Sequence, residues 1–119
     1  MKVFIILFIA FLTAIYFPTQ ENIVNGVASF YHKKFEGRKT ANGEIFSNEN
    51  YTAAHKTLAF GTVVRVTHLK NQKVVEVRIN DRLPLKSSRM IDLSIKAASD
   101  LNMIKSGLAK VSIEVINEP

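Results

Sequence analysis

The sequence contains no cysteine and no tryptophan, and its three histidines stand far apart. Without Cys no disulfide can staple so short a chain, and packing of an apolar core must hold it together. The same absence removes a thiol nucleophile, a Cys-based zinc site and a lipid-bearing Cys beside an export signal. His32, His55 and His68 lack the HxxxH-type spacing of a helical metal site, so neither a metal nor a cofactor is expected. A Gly-rich phosphate loop, a Ser-His-Asp pattern and repeats of solenoid length are also missing. What is present is 119 residues, 47% of them apolar. That is room for one domain with a real core, and too much apolar content for disorder beyond the ends.

Charge is one-sided, with Lys+Arg 16 against Asp+Glu 10 and a net charge of +6. The Lys and Arg residues are scattered rather than clustered, so a nucleic-acid partner is not expected. A cationic surface equally suits an anionic cell-wall polymer.

Residues 1–20 read as an address. Met1-Lys2 supplies one positive charge, Val3 to Phe17 is apolar except for Thr13, and Pro18-Thr19-Gln20 ends the run. This is the layout of a secretory signal. The run is shorter than the ~20 residues of a spanning helix. No A-x-A pattern precedes Pro18, so an uncleaved N-terminal anchor stays open as the alternative, and it would be the only contact with a membrane.

Beyond it, residues 24–117 read as a compact, mainly β domain with one short helix. Ala109, Val111, Ile113 and Val115 alternate with polar residues, as do Val75, Val77 and Ile79, and Val64 and Val66. Lys70-Asn71-Gln72-Lys73 between the last two runs marks a hairpin. Val27–Tyr31 reads as a first strand and Met90-Ile91 as a short one. Ser94 is placed to cap a helix with Asp92 near its positive end, and Ala97, Ala98 and Leu101 form its apolar stripe. Gly107 breaks the chain before the last strand. Short strands with a single helix suggest a small closed barrel, which leaves no exposed strand edge. The loop from Gly37 to Tyr51 has little periodicity, and loops of that length often carry function.

A carboxylate-based site is the chemistry left. Asp81 ends a strand, with Arg78 and Arg82 nearby and Pro84 stiffening the chain just after it; on spacing alone a turn residue fits better than a catalyst. Asn42-Gly43 signals a turn that would present Glu44 at a loop tip. His55 sits after small residues, and a structural or a functional role fits it equally. His32 and His68 read as bystanders, and Asp100 as helix surface.

Several segments then make one ordered pattern: Gly26-Val-Ala-Ser29, Phe35-Glu-Gly-Arg38, Thr40-Ala-Asn-Gly-Glu44, Thr52-Ala-Ala-His55, Phe60-Gly-Thr62, Val64-Arg-Val-Thr67, Val77-Arg-Ile-Asn-Asp-Arg82, Ile91-Asp-Leu-Ser94 and Gly107. Over about residues 26 to 116 the pattern resembles the RlpA family of septal-ring lytic transglycosylases. The resemblance implies a six-stranded double-psi β-barrel, a place in the periplasm or cell envelope, and peptidoglycan glycan strands as partner; a monomer is expected. It implies cleavage between N-acetylmuramic acid and N-acetylglucosamine with a 1,6-anhydro-muramyl product. It implies catalytic positions at Asp81, Glu44 and His55, with Asp92, Arg82, Tyr31, Thr40 and Asn42 lining the groove and binding substrate. A non-catalytic, expansin-like wall-binding module is the alternative. The sequence departs from the family at Leu83, where Gly is common, and at Phe30, where Trp is common.

Overall fold

The computed structural model describes residues 22–119, so the signal reading of residues 1–20 lies outside the described residues. Six strands close into a barrel: β1 (Ile23–Phe30), β2 (Thr52–His55), β3 (Val63–His68), β4 (Val74–Arg82), β5 (Ile91–Leu93) and β6 (Ala109–Asn117). Their order around it is β1-β5-β2-β4-β3-β6. The β1–β5 and β2–β4 pairs are parallel, and the other four are antiparallel. The expected mainly-β closed barrel is therefore the fold observed.

Alternation explains the long strands. Val64, Val66, Val75, Val77, Ile79, Val111 and Ile113 point inward and are buried, while Arg65, Glu76 and Glu114 form ion pairs outside. The β3–β4 hairpin turns through Gln72 at φ 63°, and the Nδ1 of buried His68 accepts from the Lys70 and Asn71 amides. β1 begins at Ile23 and stops at Phe30, four residues before and one before the expected limits. Val24 and Asn25 are exposed, so an apolar-run signal is weak there; pairing with β6 from Glu114 onward makes the strand. β5 is Ile91–Leu93, with Met90 just outside it.

Sequence alternation does not reveal β2. Thr52, Ala53 and Ala54 are all small and buried, so β2, which lies between β4 and β5, shows no apolar–polar alternation. Helix α1 (Ile95–Asp100) is capped as expected by Ser94, whose hydroxyl accepts from the Ala97 amide at 3.2 Å. Ala97, Ala98 and Leu101 pack into the core with Met103.

Candidate active site

The site is built on one row of residues crossing four strands. Ser29 of β1 pairs with Asp92 of β5, Asp92 with Ala54 of β2, and Ala54 with Asp81 of β4. Residues in register share a face, and the neighbours Ala28, Ile91, Ala53 and Leu93 fill the core. The Ser29–Asp92–Ala54–Asp81 row therefore faces outward. Ala54 is the small floor between two carboxylates, whose backbones lie roughly 10 Å apart at two strand spacings.

Strict alternation would have put Asp81 inside with Val75, Val77 and Ile79. A register shift prevents this: Ala53 pairs with Ile79, but Ala54 pairs with Asp81, and Asn80 is left as an extra residue. The bulge turns Asp81 outward. Three donors then fix its carboxylate. The Tyr31 hydroxyl donates to Oδ2 at 2.5 Å, and the Ala41 amide (2.8 Å) and the Arg82 amide (2.9 Å) donate to Oδ1. Tyr31 is held in turn by Phe46 at a ring distance of 4.2 Å and by the edge of Phe35 at 5.8 Å. Burial, the hydrogen bond to Asp81 and the charges of Asp81 and Asp92 together push the Tyr31 hydroxyl far above an ordinary phenol. Tyr31 therefore stays protonated at neutral pH and donates to the Asp81 carboxylate.

Neither flanking arginine brings its guanidinium to the Asp81 carboxylate. Arg82 lays its guanidinium 4.0 Å above the Phe60 ring. Arg78 points to Glu44 and grips both its oxygens, with the second contact at 2.8 Å. Glu44 is not at a loop tip, as the turn signal suggested. The turn forms, with Gly43 at φ 91°, but Arg78, Asn42 and Asn80 draw the Glu44 carboxylate back onto β4. The Arg78 hydrogen bonds lead in lowering its pKa, to about 2.

Asp92 departs from expectation as well. It binds no helix amide; Arg89 donates from Nε at 2.8 Å and from Nη2 at 3.1 Å to its two oxygens. His55 accepts at Nδ1 from the Thr57 and Leu58 amides, which puts its ring proton on Nε2. Burial, then Arg82 and Lys56, lower its pKa, so it is neutral at neutral pH.

A groove of about 650 Å³ runs over the row, lined by Tyr31, Asp81, Arg82, Ala54, Leu83, Arg89 and Asp92 among others. Lys34, Arg38 and Lys39 stand on its wall, so five cations face two carboxylates there. Of the expected residues, Asp81, Asp92, Arg82 and Tyr31 meet in this groove. Glu44, His55, Thr40 and Asn42 do not line it. Thr40 is buried and donates to Asn42 Oδ1 at 2.5 Å, and their turn carries the Ala41 amide to Asp81. Sequence reasoning missed Arg89 and Phe46; an Arg three residues before an Asp was the only signal for the first. Leu83 takes no positive φ and is buried, so its side chain fits at this position. A second groove of about 640 Å³ lies beside α1; its Asp100 is exposed and held by a single donor, the Tyr51 hydroxyl. Size does not separate the two grooves; the three-donor mount of Asp81 does. Among the described residues no three of His, Asp and Glu converge as a metal site would require.

A family model described as lytic transglycolase matches residues 23–113. The endolytic peptidoglycan transglycosylase RlpA of Pasteurella multocida is 55% identical over 92 residues, which are 77% of this chain. The chain belongs to the RlpA family. RlpA of Campylobacter jejuni is 48% identical over 85% of this chain. The chain spans about a third of the length of these relatives, 31% and 38%. The apo expansin of Clavibacter michiganensis superposes with a TM-score of 0.63 at 21% identity, over 82% of this chain and 52% of that one. That likeness is one of fold. With the family match it makes the barrel a double-psi β-barrel.

Proposed function

We propose that this chain is an endolytic peptidoglycan lytic transglycosylase with Asp81 as its acid and base. The observation that carries this reading is the Asp81 carboxylate, turned outward by the Asn80 bulge and fixed by three donors at the floor of a cationic groove. The names of its RlpA relatives support the same substrate. The cations suit a polymer whose lactyl and peptide groups carry negative charge.

In the first step the Asp81 carboxyl gives a proton to the oxygen leaving toward N-acetylglucosamine. The bond from C1 of the muramyl sugar breaks, and an oxocarbenium-like state forms. The muramyl C6 hydroxyl then attacks C1, closes the 1,6-anhydro ring and returns its proton to Asp81. No water is consumed and one carboxyl suffices. Tyr31 suits both stages, because a phenol donates to a carboxylate and accepts from a carboxylic acid. Glu44 and His55 act in this reading as positioning residues, and Arg82 and Asp92 contact the glycan. The same reading has the chain exported into the cell envelope by residues 1–20 and acting as a monomer. N-terminal sequencing of exported protein and light scattering test those two points.

The central test is mass analysis of products from purified sacculi. Wild type should release 1,6-anhydro-muramyl ends. Asp81→Asn should lose turnover by about 10²-fold or more while still sedimenting with sacculi. Wild type that binds sacculi and releases nothing would instead make it a wall-binding module.

A further inference from the structure

Asp92 raises a question that the single-carboxyl mechanism leaves open. It lies in the same groove as Asp81, across Ala54, on the same outward row. Two carboxyl groups about 6.5–9.5 Å apart are the arrangement of an inverting glycoside hydrolase, in which the second one activates water. Side chains rising from backbones roughly 10 Å apart, over nothing larger than Ala54, reach that range. Tyr31 registers both charges, so the two acids share one electrostatic neighbourhood. By its layout this site could hydrolyse.

Resting on the transglycosylase reading above, we propose that Arg89 is a positioning residue that selects the anhydro product by keeping Asp92 from activating water. Arg89 engages both Asp92 oxygens, at 2.8 and 3.1 Å, and offsets the charge that would draw a proton from water. The arginine is itself anchored. Its amide donates to Ser87 Oγ at 3.1 Å, and Lys56 Nζ donates to the Ser87 carbonyl at 2.6 Å. The segment carrying Arg89 is thus tied to the residue just after β2, the strand that holds Ala54. With Asp92 paired to a cation, Asp81 is the one of the two carboxyls that no cation holds, and the C6 hydroxyl outcompetes water at C1. With Asp92 released, a water can attack C1 and pass a proton to Asp92, while Asp81 protonates the leaving oxygen. The product is then an ordinary reducing end carrying the water's oxygen.

The experiment digests sacculi in ¹⁸O-labelled water and compares anhydro ends with ¹⁸O-bearing reducing ends by mass. Wild type should give anhydro ends almost alone. Arg89→Met should raise the ¹⁸O share about tenfold or more, a fraction of the roughly 10²–10⁴ that a well-placed general base contributes. Arg89→Lys, which keeps a cation beside Asp92, should stay near wild type. Arg89→Met combined with Asp92→Asn should return to the wild-type ratio. The ratio is counted per product, so a loss of folded protein does not move it, and Arg89→Gln provides a second variant if Arg89→Met folds poorly. An unchanged ratio in Arg89→Met, or complete loss of turnover in that folded variant, would overturn the inference while the anhydro ends of wild type upheld the transglycosylase. Absence of anhydro ends from wild type would overturn both.

Discussion

Gly26 offers a sharp test of how β1 and the segment before β5 fit together. Its φ is ordinary, so the backbone alone would accept alanine, and replacing Gly where the backbone allows it stabilises a protein by about 0.4–1 kcal/mol through the unfolded chain. Space decides the other way. A Cβ at residue 26 would stand 2.7 Å from Met90 Cβ and 2.8 Å from Met90 Sδ. Carbon atoms pack best at about 3.5–4.0 Å, so roughly 1 Å of movement is demanded. Met90 cannot simply swing away, because its Cβ is fixed to a backbone whose amide donates to the Val27 carbonyl at 2.8 Å. Forcing extra atoms into a packed contact costs about 1–3 kcal/mol. Gly26→Ala should therefore lose about 1–2 kcal/mol net and lower Tm by roughly 5–15 °C, at about 4–8 °C per kcal/mol for a domain of this size. Thermal unfolding followed by circular dichroism measures it. Met90→Ala removes the sulfur but keeps the Cβ, so it should rescue Gly26→Ala in part; Met90→Gly removes both atoms and should abolish the penalty. A Gly26→Ala chain as stable as wild type, or one whose loss is the same in all three backgrounds, would refute the reasoning.

Two other predictions concern the site. Tyr31→Phe keeps the packing on Phe46 and Phe35 but removes the hydrogen bond to Asp81. A bond to a charged group is worth about 1.5–3 kcal/mol, so sacculus turnover should fall roughly ten- to a hundredfold with Tm little changed; unaltered turnover would remove Tyr31 from the mechanism. Glu44 has a folded pKa of about 2 against an ordinary 4.5, so its contribution to stability is complete above about pH 4.5 and lost as pH falls toward 2. Denaturant unfolding between pH 5 and pH 2.5 should show a shallower decline in Glu44→Gln than in wild type, by less than about 1 kcal/mol because this pair is half-exposed. Parallel declines would show that the Arg78 pairing does not act on stability.

The fold was legible wherever one face of a strand meets water. β3, β4 and β6 carry a period of two because one side packs on the core and the other is solvated, and Ser94 announced α1 through its cap. β2 was not legible, since Thr52, Ala53 and Ala54 are all small and buried and have no alternation to read. Asp81 became a catalytic candidate only through the ordered family pattern, because strand-end spacing describes a turn equally well. Arg89 stayed hidden, since a pairing three residues apart outside a helix has no fixed geometry until the backbone is known. Thr40, Asn42 and Glu44 were recognised as important, but their work behind the groove was not, because the sequence cannot say which side of a loop its side chains take.

That work bears directly on Asp81. Continued alternation through β4 would bury the Asp81 carboxylate among Ile79, Val77 and Val75, and an uncompensated buried carboxylate costs several kcal/mol or more. The Asn80 bulge avoids this, yet it leaves a polar residue only 2% exposed with its backbone pulled out of the ladder. The 40–44 turn compensates for all but Asn80 Oδ1, which is buried without a hydrogen-bond partner. The Asn42 amide donates to the Asn80 carbonyl at 3.3 Å, and Asn80 Nδ2 donates to Glu44 Oε2 at 3.2 Å. Arg78, two residues earlier on the same strand, fixes Glu44 in that position. Glu44 thus acts on Asp81 without touching it, by holding the bulge that aims the carboxylate outward. The two acidic motifs of the sequence, Thr40-Ala-Asn-Gly-Glu44 and Arg78-Ile-Asn-Asp81, are the two halves of one mount. The turn half supplies the Ala41 amide to Asp81 and the Asn42 amide to the bulge, and the strand half supplies the carboxylate they position.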